Sequence, residues 1–121
     1  MCTAVRDHIR YDTPDHNGET RRQRYARVDE PSPHIVIPLA GSYLWEWFFD
    51  LSNMRQEADK RISVADYDAW SRLTGRGMKP FEFKILKAMD EAYISSFRGE
   101  IRDNQARIDR HNEAAARMRG R

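Results

Sequence analysis

The side chains best suited to bind a metal or transfer a proton in this chain are its histidines, its cysteine and several neighbouring acids. The histidines are His8, His16, His34 and His111, and the single cysteine is Cys2. Structural zinc sites draw cysteine and histidine ligands from short, regular spacings, and none of these residues follows such a spacing. The sequence therefore predicts no metal site and no internal disulfide framework.

Two further motifs have simple structural interpretations. Asp66 and Asp68 lie near the start of a predicted helix, where the helix dipole favours negative charge. The run Thr74-Gly75-Arg76-Gly77 follows a helix rather than a strand and lacks the lysine of a phosphate-binding loop. We interpret it as a glycine C-cap and a turn. The sequence thus predicts a protein that is not an enzyme and that uses no cofactor.

The charge balance limits the classes of partner. The chain of 121 residues has 21 basic and 19 acidic residues, for a formal net charge of +2. Such a balance creates no strong field of one sign to attract nucleic acid or anionic lipid. The N-terminus does not have the pattern of a secretory signal. No apolar run approaches the roughly 20 residues that span a bilayer, so we expect a soluble cytoplasmic protein with no membrane partner.

An aromatic-rich segment, Tyr43-Leu44-Trp45-Glu46-Trp47-Phe48-Phe49, stands out in a chain that is 33% charged. Three short helices of a small domain cannot enclose all of this aromatic surface, because small domains bury a smaller fraction of their surface than large ones. We therefore expect part of it to be covered by another protein, although the segment at Ile35–Ile37 or the C-terminal helix is an alternative cover.

Three helices must position these side chains, and the apolar periodicity and capping signals predict their limits. The first runs from Leu39 or Ser42 to Arg55, and the second begins after Ser63, an N-cap with Asp66 three residues later. The third runs from Pro80 to Phe97, and a charged helix continues past Gly99 to about Met118. The resulting fold class is all-α: a small three-helix domain with a C-terminal helical extension.

The predicted domain organisation has three parts. Residues 1–33 are rich in proline and mixed charges and poor in large apolar groups, so we expect a disordered leader. Residues 34–98 form the helical interaction domain, and residues 99–121 form a charged helical tail.

The aromatic and aliphatic residues divide into two predicted groups. The predicted partner-binding residues, where aromatic anchors usually dominate the affinity, are Trp45, Phe49, Phe83, Ile94 and Phe97. The predicted structural core consists of Trp47, Phe48, Leu51, Trp70, Leu73, Phe81, Ile85, Met89 and Tyr93. Asp90 falls among the apolar residues of the third helix, so it needs a donor, which Arg55 or Arg72 could supply.

Nucleic-acid binding is the main alternative, because two helices joined by a glycine-containing turn follow the order of a helix-turn-helix. The candidate recognition helix, however, begins Pro80-Phe81-Glu82-Phe83, with an acid and two aromatic rings where base-reading polar groups belong. Residues 34–98 contain nine basic and nine acidic residues, which leaves no electrostatic footprint for phosphates. Nucleic acid is therefore disfavoured as a partner. Self-association through a weak helical seam is a further alternative.

The aromatics and turns together resemble a known family. The resemblance rests on Tyr43-Leu44-Trp45-Glu46-Trp47-Phe48, Ile62-Ser63, Ala69-Trp70, Leu73-Thr74-Gly75, Pro80-Phe81-Glu82, Ala88-Met89-Asp90 and Ala92-Tyr93. This pattern resembles the tail assembly chaperones of bacteriophages with long flexible tails, over about residues 38–97. The charged connection from Gln56 to Arg61 differs from the glycine-rich linker associated with that family.

The resemblance implies a non-enzymatic role in virion morphogenesis in the host cytoplasm. The protein would bind the phage tail tape measure protein, or another tail protein, during tail assembly. The alternative function is that of a small helix-turn-helix-like nucleic-acid-associated adaptor or regulator of phage origin.

Overall fold

The computed structural model describes residues 1–15 and 18–120, and these form helices and connecting segments without a strand. The helices are α1 Cys2–Asp12, α2 Arg21–Arg27, α3 Ser42–Ser52, α4 Val64–Leu73 and α5 Pro80–Arg119, with a 3₁₀ turn at Leu39–Gly41 before α3. The all-α class is thereby confirmed. His16, Asn17 and Arg121 lie outside the described residues, so the expectations for the leader and tail are not tested there.

Local capping explains where α4 and α5 begin and where α4 ends. The Ser63 hydroxyl accepts a hydrogen bond from the Asp66 backbone N–H at 3.1 Å, as the sequence signal predicts. Gly75 follows α4 with a φ of +68°, a conformation that glycine adopts without steric cost. At the start of α5, Pro80 occupies the first turn and the Glu82 carboxylate accepts the Lys79 backbone N–H at 2.9 Å.

The core lies where α3 and α4 pack on the first half of α5 and α1 closes one side. Phe48, Leu51, Leu86, Met89 and Val5 are its largest fully buried side chains. Trp47 of α3 meets Trp70 of α4 with ring centroids 5.3 Å apart. The Trp70 indole N–H also donates to the Asp50 carboxylate at 2.6 Å, so the polar edge of this ring is satisfied.

The predicted core residues are distributed unevenly between interior and surface. Trp47, Phe48, Leu51, Trp70 and Met89 are buried, and Ile85 and Tyr93 are half-buried against the core. Leu73, the last residue of α4, is 85% exposed and does not belong to the core. Phe81 is 54% exposed because α5 turns Glu82 and Leu86 inward instead, one position away from the face that the apolar pattern indicates.

The disorder expected for residues 1–33 is not what the structure shows, since Cys2–Asp12 and Arg21–Arg27 are helical. Helix α1 buries Ala4, Val5 and Ile9 along one face. This i, i+1, i+5 spacing places the three side chains on one face of a helix. The average composition of residues 1–33 does not reveal such a face. The small domain therefore contains more than three helices.

Charged contacts hold α2 against the rest of the chain. The Arg21 guanidinium lies 3.1 Å from the Glu100 carboxylate of α5, and that of Arg22 lies 2.8 Å from the Asp12 carboxylate of α1. Thr20 caps α2 by accepting the Gln23 backbone N–H, while the Gln23 side chain accepts the Thr20 N–H. The first turn of α2 is thus tied to both α1 and α5.

Helix α5 continues through Gly99 without a break and comprises 40 residues. At 1.5 Å per residue it is about 60 Å long. The predicted extension is helical and forms one element with the predicted third helix. The domain limits at residues 33 and 98 stay predictions, because helix continuity does not define a domain boundary.

A buried ion pair joins the connection between α3 and α4 to the middle of α5. The Arg55 guanidinium lies 2.7 Å from Asp90 Oδ1, with side chains 3% and 4% exposed. The other Asp90 oxygen accepts the Ile62 backbone N–H at 3.0 Å. Arg55 also donates to the Lys60 carbonyl and the Ser52 hydroxyl. Of the two donors considered for Asp90, the structure thus selects Arg55.

Replacing Asp90 by alanine is expected to lower the free energy of unfolding by about 3 kcal/mol, because it leaves the Arg55 charge buried without a partner. Urea denaturation followed by circular dichroism measures the change. The adjacent and exposed Glu91→Ala is the matched control and should stay within about 0.5 kcal/mol of the unmodified chain. A loss for Asp90→Ala no greater than that of the control would contradict a stabilising role for the pair.

Replacing Gly99 by alanine is expected to raise the free energy of unfolding by about 1 kcal/mol, because alanine favours a helix interior. A Cβ at this position would meet only the Arg102 guanidinium, at 4.0 Å. Gly75→Ala is the contrasting variant and should lower the free energy of unfolding, because the positive φ of Gly75 strains any L side chain. Thermal and urea unfolding of both variants should show opposite shifts, and a destabilised Gly99→Ala chain would argue against an unbroken helix.

Candidate partner-binding site

The five predicted partner-binding residues do not form one surface. Trp45, Phe49 and Phe97 lie on the side of the core that faces α1, and all three are half-buried. Phe83 packs against Tyr67 of α4, with ring centroids 5.1 Å apart. Ile94 is only 2% exposed. The candidate site is therefore built around the first three residues.

Two helical pairs create a row of rings on this side. Trp45 and Phe49 are four residues apart on α3, with centroids 4.9 Å apart. Tyr93 and Phe97 are four residues apart on α5 and stack at 5.9 Å. The buried Phe48 ring links the pairs, at 5.4 Å from Phe49 and 5.8 Å from Tyr93. We call Trp45, Phe49, Tyr93 and Phe97 the aromatic row.

Helix α1 lies across part of the aromatic row. The His8 imidazole meets Phe49 edge-on at 5.0 Å and Trp45 at 6.1 Å. The same imidazole lies 3.3 Å from the Asp12 carboxylate, one turn further along α1. Sequence reasoning missed this contribution of α1. The signal that could have found it is the spacing of Ala4, Val5 and Ile9.

Beside the C-terminal end of α1, an open groove of about 500 Å³ leaves part of the aromatic row accessible. We call it the aromatic groove. Its apolar lining includes Ile9, Phe49, Tyr93 and Phe97, and its polar lining includes His8, Asp12, Ser52, Asn53 and Arg55. Apolar walls with a few polar groups at the edge are typical of sites that bind another molecule by shape.

The buried ion pair fixes one wall of the aromatic groove. The Arg55 guanidinium lies 4.3 Å from the centre of the Tyr93 ring while it pairs with Asp90. A cation over an aromatic face is attracted by the ring quadrupole. Tyr93 therefore has a defined position before any ligand binds, which reduces the entropy lost on binding.

The ionisable groups of the described residues form no metal-ligand cluster, and the phenol with the largest pKa shift, that of Tyr67, is not in the groove lining. Among residues 1–15 and 18–120, no three His, Cys, Asp or Glu side chains come together as metal ligands would. Burial raises the pKa of the Tyr67 phenol, and the nearby Asp90 charge raises it further. The Tyr67 hydroxyl has no hydrogen-bond partner in the described structure, and the Tyr67 ring packs against Phe83 on the α4 side of the core.

The helices of the described residues are also unsuited to cross a membrane, since none is both long and apolar enough.

The chain matches a model of a known protein family. A family model described as a phage tail assembly chaperone matches residues 20–95, which is more than half of the chain. The matched span contains Trp45, Phe49 and Tyr93 of the aromatic row, whereas α1 and Phe97 lie outside it. No curated protein and no solved structure matches the chain.

The double variant Trp45→Ala/Phe49→Ala is expected to keep most of its helical signal, because the centre of the core at Phe48, Leu51 and Met89 stays intact. Far-ultraviolet circular dichroism at 25 °C measures this. Phe48→Ala is the contrasting variant and should cost about 3 to 5 kcal/mol. Unfolding of the double variant to the same extent would place Trp45 and Phe49 in the essential core.

Proposed function

Since the chain belongs to the phage tail assembly chaperone family, we propose that it binds the tape measure protein during tail morphogenesis through its aromatic groove. The family implies a non-enzymatic role and an interaction with tail proteins. The tape measure protein as the partner, the aromatic surface as the contact and the host cytoplasm as the location belong to our proposal.

The observation that carries the proposal is the accessible part of the aromatic row. Phe49, Tyr93 and Phe97 line an open groove where α1, α3 and α5 meet. Such a groove suits one apolar face of an amphipathic helix, which places anchors at i, i+3, i+4 and i+7. A tape measure protein is expected to present long helices of this kind before the tail tube encloses them.

The size of the aromatic groove suits temporary binding. At about 500 Å³ it accommodates a few side chains rather than a whole helix. Small interfaces are typical of weak or transient complexes. A chaperone must release its client when the tube polymerises, so modest affinity at each groove is an advantage.

The charge distribution favours a protein client over nucleic acid. Arg21, Arg22 and Arg55 all form ion pairs within the chain, which leaves them unavailable to phosphates. The N-terminal turn of α5, the candidate recognition element, exposes the Phe81 ring. Binding through the aromatic groove should therefore depend little on ionic strength.

Phe49→Ala is expected to weaken binding to the co-expressed tape measure protein at least tenfold, which corresponds to the roughly 1.4 kcal/mol that an aromatic anchor often contributes. Isothermal titration calorimetry with the purified proteins measures the affinity. Phe81→Ala is the matched control, because it removes an exposed phenyl ring outside the groove. Equal weakening by both substitutions would contradict the groove as the contact.

Salt provides a second measurement on the same complex. We expect the affinity to change less than threefold between 50 and 300 mM NaCl, because apolar contacts predominate. A protein that binds phosphates loses orders of magnitude in affinity over a similar range. Steep salt dependence, together with binding to DNA or RNA, would support the nucleic-acid adaptor instead.

A further inference from the structure

Helix α1 is an amphipathic helix whose apolar face packs on the core. It buries Ala4, Val5 and Ile9 and exposes Thr3, Arg6 and Arg10 on the opposite side. It packs against α5 and the aromatic row, as an amphipathic helix from another protein would. One occupant of this surface is therefore visible in the structure, and it belongs to the chain itself.

Helix α1 also lies outside the residues that the family model matches. The match begins at residue 20, after α1 has ended at Asp12. The matched residues contain Trp45, Phe49 and Tyr93 but not the helix that lies across them. The rings that His8 of α1 contacts, Trp45 and Phe49, therefore lie within the matched span, whereas α1 itself lies outside it.

Helix α1 covers the aromatic row incompletely at His8. His8 is the α1 residue that meets both Phe49 and Trp45. An imidazole buries less apolar area against two aromatic rings than leucine or methionine would, and its ring nitrogens need polar partners. The groove beside Ile9 also stays open, with Tyr93 and Phe97 in its lining. A helix with a large apolar side chain at the position of His8 would cover this surface better.

We propose that α1 is a displaceable internal occupant of the client-binding surface. The client is an amphipathic helix with aliphatic residues at the positions of Val5 and Ile9 and a larger apolar residue at that of His8. This inference rests on the proposed function and adds to it the pattern of the client and a competition step. The client engages the open aromatic groove first and then replaces α1 along the aromatic row.

A peptide experiment tests the surface without the tape measure protein. The probe is a synthetic peptide of residues 1–13, labelled at its C-terminus, and fluorescence anisotropy measures its binding to the full-length chain. Val5→Asp should undock the internal α1 and strengthen peptide binding at least tenfold over the unmodified chain. Thr3→Asp, on the exposed side of α1, is the matched control and should bind the peptide as weakly as the unmodified chain does.

The position of His8 supplies a second comparison. A peptide carrying His8→Leu should bind the Val5→Asp chain at least threefold more tightly than the unmodified peptide does. In the full-length chain, His8→Leu should weaken binding of the tape measure protein, whereas Val5→Asp should strengthen it. Equal binding of the two peptides would overturn the assignment of His8 as the weak point of the cover.

The outcomes separate this inference from the proposed function. Peptide binding by Val5→Asp without any binding of the tape measure protein would refute the proposed client and retain α1 as a displaceable helix. Absence of peptide binding by a folded Val5→Asp chain would overturn the inference, and it would leave the tape measure proposal intact. If the unmodified chain is dimeric and binds the peptide, the occupant of the aromatic row is a second copy of the chain. That result would also overturn the inference.

Val5 is fully buried, so its substitution could unfold the whole chain. Native-state hydrogen exchange on the unmodified protein then provides the test. Backbone amides of α1 should exchange at least tenfold faster than those between Leu86 and Tyr93 of α5, because α1 opens by itself. Equal protection of the two segments would show that α1 opens only with the whole domain and would overturn the proposal.

Discussion

The buried pair of Arg55 and Asp90 is the interaction on which the arrangement of the other elements depends. Asp90 forms an ion pair with Arg55 and accepts the Ile62 backbone N–H, so one carboxylate on α5 holds the chain between α3 and α4. The same guanidinium lies over Tyr93 and positions one wall of the aromatic groove. A charge removed from water needs a partner of opposite charge nearby. The connection from Gln56 to Arg61, although charged and irregular, is therefore fixed at its ends.

The sequence allowed the local elements of the family domain to be predicted well, because their signals are short-range. The Ser63 cap, the glycine after α4 and the proline at the start of α5 each act within one helical turn. The inward face of α5 was harder to predict, since it includes the acids Glu82 and Asp90. The apolar pattern indicated that Asp90 is partly buried, but it gave no sign that Glu82 faces the core, and so it turned Phe81 inward.

Helix α1 could not be predicted by the same reasoning because its stability depends on distant residues. Its own buried side chains are few and small, and isolated helices of this length are marginal in water. It forms because α5 and the aromatic row offer it an apolar surface. The sequence did indicate that the aromatic segment exceeds what three helices can cover, and α1 supplies part of the missing cover. The assignment of individual residues to partner binding still rests on the groove geometry.

The continuity of α5 has a mechanical consequence. Tyr93 lies in the wall of the groove and Arg119 at the end of the same helix, about 40 Å away at 1.5 Å per residue. After Ile108 the described residues are exposed except for the half-buried Ala115, so little packing restrains the distal part of the rod. A tilt of about 10° at the groove would move the tip by about 7 Å. A rod of this length would convert a small change of tilt beside Tyr93 into a displacement of several ångströms at its end.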